Sequence, residues 1–167
     1  ASMPESMYRD IMKRLADRKL KIAVDATKSL LLNVLPFHPF VIKPNNHELG
    51  ELFNVKIKSK DQAVEYAKKL QEMGAQNVIV SMAGEGAVFV GDDGSVFQSE
   101  APKGTVVNSV GAGDSMVAGF LAGYLGEGDY KEAFKLGVCT GSASAFSEQL
   151  ATREQVEAIR NTHHFEF

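Results

Sequence analysis

Apolar residues recur along this chain with two alternating periods, one helical and one extended. Met7, Tyr8, Ile11, Met12 and Leu15 fall three and four apart, with Arg9, Lys13 and Arg14 between them. That spacing predicts a helix over Glu5 to Arg18, its apolar side inward and Pro4 in its first turn. Leu20 to Val24 reads as a strand ending at Asp25, followed by a short helix over Ser29 to Val34 and a strand at Phe40 to Ile42. Helices are expected over Asn45 to Phe53 and over Asp61 to Met73, the second with Ala63, Val64, Ala67 and Leu70 inward. Asn77 to Met82 is nearly continuous in apolar residues, the mark of a strand buried on both faces. Ala87 to Val90 and Ser95 to Phe97 flank Asp92-Asp93-Gly94, a hairpin signal. Helices close the chain over Asp114 to Leu125, over Lys131 to Phe146 and from Thr152. In the first of them Met116, Val117, Phe120, Leu121, Tyr124 and Leu125 recur on one face. Gly119, Gly123, Gly137, Gly141 and Ala143 in the two longer ones predict close packing. Strands alternating with helices imply an α/β fold on a mainly parallel sheet, with ligands at the carboxyl ends of its strands.

Composition narrows the class without naming a chemistry. At 167 residues the chain is most simply one domain, residues 1–167, large enough to bury a core. Its 44% hydrophobic and 23% charged content is that of a soluble globular protein. A net charge of −3 argues against a nucleic-acid partner. No apolar run reaches the roughly 18 residues a bilayer requires, and the most apolar region, Leu30 to Ile42, is broken by Asn33, Pro36, His38 and Pro39. Cys139 is alone, so no internal disulfide framework exists, and a reducing, cytoplasmic setting is expected. Ala1-Ser2-Met3-Pro4 shows no charged and apolar leader and no initiator Met, and reads as a processed or truncated start.

The densest chemistry lies in Asn108-Ser-Val-Gly-Ala-Gly-Asp-Ser, where a small-residue loop runs into a helix and an acid follows it. Amide groups at a helix start lack internal partners and lie at the positive end of the macrodipole. Gly111 and Gly113 let that backbone approach an anion such as phosphate. Asp114 puts a carboxylate where anions otherwise gather, as a base taking the proton of a hydroxyl that attacks a phosphoryl group would. A second reading makes the glycines a tight turn and Asp114 a stabiliser of the first helical turn. No Gly-Lys-Ser/Thr follows, so this is not a Walker A loop, and Met116 stands where a dinucleotide fingerprint needs its third glycine.

Two further segments follow strands. In Lys43-Pro-Asn45-Asn-His-Glu48, Asn45 and Glu48 are spaced as a capping box. The same residues also suit a phosphate contact by Lys43 and a hydrated Mg²⁺ near Asn45 and Glu48. Ser81-Met82-Ala83-Gly84-Glu85-Gly86 offers either close approach to a phosphate or nucleobase or a plain turn. Asp25 is a candidate supporting residue. His163-His164 reads as a solvated tail, Asp92 and Asp93 as a turn, His38 as loop packing, and Lys56, Lys58 and Lys60 as a solvated basic loop.

Taken in order, these motifs resemble the sugar kinases of the ribokinase (PfkB) superfamily, in the 1-phosphofructokinase and tagatose-6-phosphate kinase branch. Ser2-Met3-Pro4 also looks like a Ser-Leu-Pro element that precedes a helix in that branch. The resemblance covers the whole chain and corresponds to the carboxyl-terminal half of such kinases. It implies a Rossmann-like three-layer α/β/α fold, incomplete without the amino-terminal half and its β lid. It implies ATP and Mg²⁺ as cofactors and a sugar phosphate as acceptor, foremost fructose 1-phosphate, with tagatose 6-phosphate or fructose 6-phosphate as alternatives. By resemblance Asp114 is the base and touches the acceptor, and Gly111, Ala112 and Gly113 form an anion hole. Lys43 and Ser81 to Gly86 contact the nucleotide, Asn45 and Glu48 organise Mg²⁺, and Ser2 is a sugar-side residue. An adenine pocket is expected around Lys103 to Val107 and the helix holding Cys139. The resemblance further implies a homodimer formed through the lid and little activity in the 167-residue piece alone. A non-catalytic nucleotide-binding module on the same fold is the rival reading.

Overall fold

The computed structural model describes residues 6–26 and 28–167; Ser2, Pro4 and Glu5, named above, lie outside them. The elements run α1 (Ser6–Leu15), β1 (Ala23–Val24), α2 (Lys28–Val34), β2 (Val41–Ile42), α3 (Asn46–Phe53), α4 (Lys60–Glu72), β3 (Asn77–Ser81), β4 (Ala87–Val90), β5 (Val96–Ser99), α5 (Ala112–Glu127), α6 (Tyr130–Ala145) and α7 (Arg153–Thr162). The strands form one sheet in the order β1-β2-β3-β4-β5, so the α/β class holds. Among the described residues no helix is long and apolar enough to cross a membrane. Contacts group the chain into two compact units. One holds the described residues up to Val80 together with Phe89–Gly94, and the other holds Ser81–Val88 and Ser95–Phe167.

In the first unit β1, β2 and β3 are parallel, with Ala23 opposite Val41, Val24 opposite Ile42, Val41 opposite Asn77 and Ile42 opposite Val78. Helices cross between them, as parallel pairing requires. Leu31, Val34, Leu35, Phe40, Leu49, Leu70 and Val78 to Val80 are buried to 2% exposure or less. Truncating one such leucine to alanine costs about 2–5 kcal/mol. Asn77 is fully buried at the start of β3, where its amide donates to Phe40 O at 2.8 Å and its Oδ1 accepts from Asp92 N at 3.1 Å. A buried amide paired on both ends thus ties the turn after β4 to the entry of β2.

Two expectations need correction here. The strand expected from Leu20 shrinks to Ala23–Val24: Leu20 is 56% exposed, Lys19 takes a left-handed conformation, and pairing to β2 begins only with Ile22 O accepting from Phe40 N. Ile11 does not face inward but is 48% exposed, and Met12 alone among the apolar residues of α1 is buried. The helical stripe is therefore narrower than the apolar spacing suggests.

The second unit is built around α5 and α6. Their facing glycines remove the side chains that would hold the helices apart. A Cβ at Gly119 would stand 2.8 Å from Thr140 Cβ and 2.9 Å from Leu136 O, one at Gly123 2.8 Å from Ala133 Cα, and one at Gly137 2.9 Å from Met116 O. The buried face of α5 is accordingly Ser115, Gly119, Phe120 and Gly123, which recur at helical spacing. Of the apolar face expected through Leu125, Phe120 is fully buried and Phe120 and Tyr124 stack on Tyr130, but Leu125 at its end is 77% exposed. Close backbone approach, not side-chain bulk, sets that interface. At the chain's end Phe167 packs on Phe97 and Phe134, with ring centroids 5.0 and 5.9 Å away, while His163 Nε2 lies 3.3 Å from Ser99 Oγ. His163 is thus part of the packing rather than a solvated tail.

Candidate functional site

Within the first unit, the register of β1 on β2 continues by one residue to set Asp25 beside Lys43. Their side chains form an ion pair at 3.3 Å, with Lys43 only 7% exposed and Asp25 at 34%. A buried ammonium needs such a partner, so Asp25 holds Lys43 at the carboxyl ends of the parallel strands. The capping arrangement is fully formed two residues later. Asn45 Oδ1 accepts from His47 N and Glu48 N at 2.9 Å each, and Glu48 Oε2 accepts from Asn45 N at 2.8 Å. One oxygen of Glu48 is thereby occupied and the other is left for water. No cluster of three His, Cys, Asp or Glu side chains suited to a metal occurs among the described residues. The oxygens of Asn45 and Glu48 suit a hydrated Mg²⁺ held through water. A shallow groove of about 420 Å³ lined by His38, Gln71, Gly74, Gln76 and Asp92 lies where β2 and β3 begin, and it contains none of the predicted site residues.

Within the second unit the stretch 108–115 is a loop that runs into the start of α5. Asn108 Oδ1 accepts from Val110 N at 3.0 Å, which turns the chain towards the helix. Gly111 caps α5 in the left-handed conformation, φ 79°, with no side-chain cap bond. Ala112 N donates to Ser109 O at 3.2 Å and Ser115 N to Gly111 O at 2.9 Å. Among the described residues the amides of Gly111, Gly113 and Asp114 then have no acceptor. They stand at the amino end of a sixteen-residue helix, where its dipole is positive. The Asp114 side chain is exposed and makes no hydrogen bond or ion pair among the described residues, so it does not cap its own helix. Of the three amides expected to form an anion hole, those of Gly111 and Gly113 have no acceptor among the described residues, nor has that of Asp114, while the Ala112 amide serves the turn.

The Ser81–Gly86 segment divides in two. Met82 is buried, and its amide donates to Gly86 O at 2.8 Å, closing the loop on itself. Gly86 has φ 94°, and a Cβ there would run into Ser99 O and stand 2.7 Å from Glu100 C. This glycine is required by the neighbouring backbone, which is the turn reading. Gly84 has open space around its Cβ position, and Ala83, Gly84 and Glu85 are exposed. Ser2 lies outside the described residues.

The pattern of the pfkB family of carbohydrate kinases matches residues 1–156. The chain belongs to that family. It is 47% identical over 159 residues to the 1-phosphofructokinase of Bacillus subtilis (strain 168), covering 95% of this chain and 52% of that protein. It is 34% identical over 149 residues to a D-tagatose-1-phosphate kinase of Bacillus licheniformis, covering 89% of this chain and 49% of the relative. A solved structure provisionally named a phosphofructokinase, from Staphylococcus aureus, superposes with a TM-score of 0.92 at 40% identity, over 99% of this chain and 54% of that one. The chain thus spans about half the length of the relatives it matches. An Arabidopsis thaliana ribokinase, at 18% identity and a TM-score of 0.77, shares the fold, so the ribokinase-like expectation holds. One contribution was missed from this pfkB sequence: Asn108 shapes the loop through its side chain, which the Asn-x-Val spacing could have announced as an Asx turn.

Proposed function

We propose that this protein is an ATP-dependent phosphotransferase whose acceptor is a sugar-phosphate hydroxyl, foremost fructose 1-phosphate, giving fructose 1,6-bisphosphate. The observation that carries the reading is the open set of amides at Gly111, Gly113 and Asp114 beside an exposed, unpaired Asp114 carboxylate. Such amides serve charge that develops on a transferring phosphoryl group, and they need no reorganisation when it arrives. The carboxylate takes the proton of the acceptor hydroxyl as that oxygen attacks in line. A module that only bound nucleotide would have no use for a carboxylate there, because it repels phosphate. Lys43, held by Asp25, contacts the phosphate chain, and the exposed Ala83, Gly84 and Glu85 contact the nucleotide. Asn45 and Glu48 hold, through water, the Mg²⁺ that offsets charge on the phosphates.

A second acceptor is favoured by the relatives. The names of two of them specify D-tagatose 1-phosphate, where the sequence suggested tagatose 6-phosphate. Fructose 1-phosphate and tagatose 1-phosphate differ only in configuration at C4, so a base that deprotonates the C6 hydroxyl serves both. The test is ADP release with fructose 1-phosphate, tagatose 1-phosphate and fructose 6-phosphate in turn, on the protein as its natural gene encodes it. Fructose 1-phosphate should give the highest kcat/KM. Asp114→Asn should lower kcat by about 10²–10⁴-fold while nucleotide affinity holds. Turnover retained by that variant removes Asp114 from the chemistry, and no turnover with any of the three sugars overturns the reading.

A further inference from the structure

The loop that carries the amides and Asp114 has its own turn bonds, from Val110 N to Asn108 Oδ1 and from Ala112 N to Ser109 O, and a second set from outside it. It is fastened to the end of α6 within the same unit. Ala145 O accepts from Val107 N at 2.8 Å and from Asn108 N at 3.1 Å, and Glu148 O accepts from the Asn108 side-chain amide at 3.3 Å. These are carbonyls at and just beyond a helix end, which need donors from elsewhere. Gly141 lets the first carbonyl of α5 come close, since a Cβ there would be 3.1 Å from Ala112 O. One link remains, and it reaches the residue directly after Asp114. Ser144 Oγ donates to Ser115 Oγ at 2.9 Å, and the same Ser144 oxygen accepts from Ala151 N at 3.3 Å. Both hydroxyls are buried, Ser144 to 3% and Ser115 to 8% exposure.

The two buried serine hydroxyls satisfy each other, and Ser144 also satisfies the Ala151 amide. Their bond is directional, and it fixes the rotation of the first turn of α5 about its axis. That rotation decides where the Asp114 carboxylate and the Gly113 and Asp114 amides point, because these residues precede Ser115 on the same turn. Ser144 ties this to the 147–151 segment through Ala151, so a single oxygen couples the catalytic turn to the segment that follows α6. We propose that Ser144 is a positioning residue for phosphoryl transfer, acting through Ser115. The inference rests on the kinase reading above and names a residue that the binding and base chemistry leave out.

The test compares wild type, Ser115→Ala, Ser144→Ala, the double variant and Asp114→Asn in the protein as its natural gene encodes it, each checked for folding by circular dichroism. Misplacing reacting groups by a fraction of an ångström should lower kcat about 10- to 100-fold, with the KM for ATP within about twofold of wild type. The losses should not multiply: the double variant should be no slower than Ser144→Ala, because both act through one bond. Wild-type kcat in the folded serine variants overturns the proposal, as does a double variant whose loss is the product of the single losses. If one serine variant does not fold, the other decides; if neither folds, the bond is a structural one and the positioning role is overturned. The kinase reading fails separately, through an inactive wild type or an active Asp114→Asn.

Discussion

Gly84 and Gly86 sit two residues apart in one loop, yet the structure gives them opposite roles. Gly86 has φ 94° and ψ −136°, a region that side-chain-bearing residues avoid. Alanine there carries a backbone strain of about 1–3 kcal/mol. Its Cβ would also run into Ser99 O and stand 2.7 Å from Glu100 C and 2.9 Å from Ala101 N. All three are backbone atoms that cannot swing aside, so the chain leaving β5 must shift, at a further cost of about 1–3 kcal/mol. A combined loss near 3 kcal/mol lowers Tm by about 6–12 °C in a protein of this size. Gly84 has no positive φ and nothing within 4 Å of its Cβ position. Gly84→Ala should leave Tm unchanged or raise stability by about 0.4–1 kcal/mol through a stiffer unfolded chain. Thermal unfolding followed by circular dichroism, wild type against each variant, reads both values. If Gly86→Ala melts within a degree or two of wild type, the backbone contact does not hold and the division of the loop is wrong. Steady-state kinetics adds a second axis: a raised KM for ATP in the stable Gly84→Ala variant is expected if this side of the loop faces nucleotide.

Three other outcomes follow from the second unit. Gly123→Ala should destabilise by about 1–3 kcal/mol, since its Cβ would sit 2.8 Å from Ala133 Cα across the α5–α6 contact; a wild-type melting curve would show that the helices can part without loss. Burial pushes the Cys139 thiol up to about 11, so a disulfide reagent at neutral pH should label it only at the rate of unfolding, and fast labelling of folded protein would contradict its burial. Acid should weaken this unit in two stages. Burial and the neighbouring His164 hold His163 below its ordinary 6.5, so its neutral form is the one the folded state favours, and stability falls as pH drops through 6.5. The hydrogen bond from Lys135, with a second from Arg160, holds Glu132 below the ordinary 4.5, and its contribution is lost as pH falls below that value. Urea titrations should show Glu132→Gln less stable than wild type at pH 7 and equal to it near the acid end; a constant difference across the range would refute the linkage.

Much of the fold was legible because it is local. Asn45 and Thr152 cap α3 and α7 with full capping boxes, and the acceptor side chains and their Glu48 and Gln155 partners are all within three residues. The near-continuous run from Asn77 announced a buried strand because parallel strands leave no polar face. What misled was hydrophobicity taken as burial. Leu20, Ile11 and Leu125 are apolar and exposed, whereas α5 meets α6 through Phe120, Ser115 and the glycines whose close packing the sequence did announce.

The same distinction runs through the candidate site. Its chemistry-bearing residues were readable because each lies in a short segment with a local reason to be there: a glycine loop, a helix start, an acid directly after it. The partners that aim them act over long separations: Asp25 was legible only as a supporting residue at a strand's carboxyl end, and Ser144 was not legible at all. Asp25 is 18 residues from Lys43 and meets it only through the register of two parallel strands. Ser144 is 29 residues from Ser115 and meets it only because two helices pack closely enough for backbones to touch. In isolation Asp25 shows its place at a strand end but not its partner, and Ser144 is a small polar residue near a helix end. A sequence read by local pattern therefore yields the groups that carry out a reaction before it yields those that orient them, and in this chain both orienting pairs become visible only once strand register and helix contact are known.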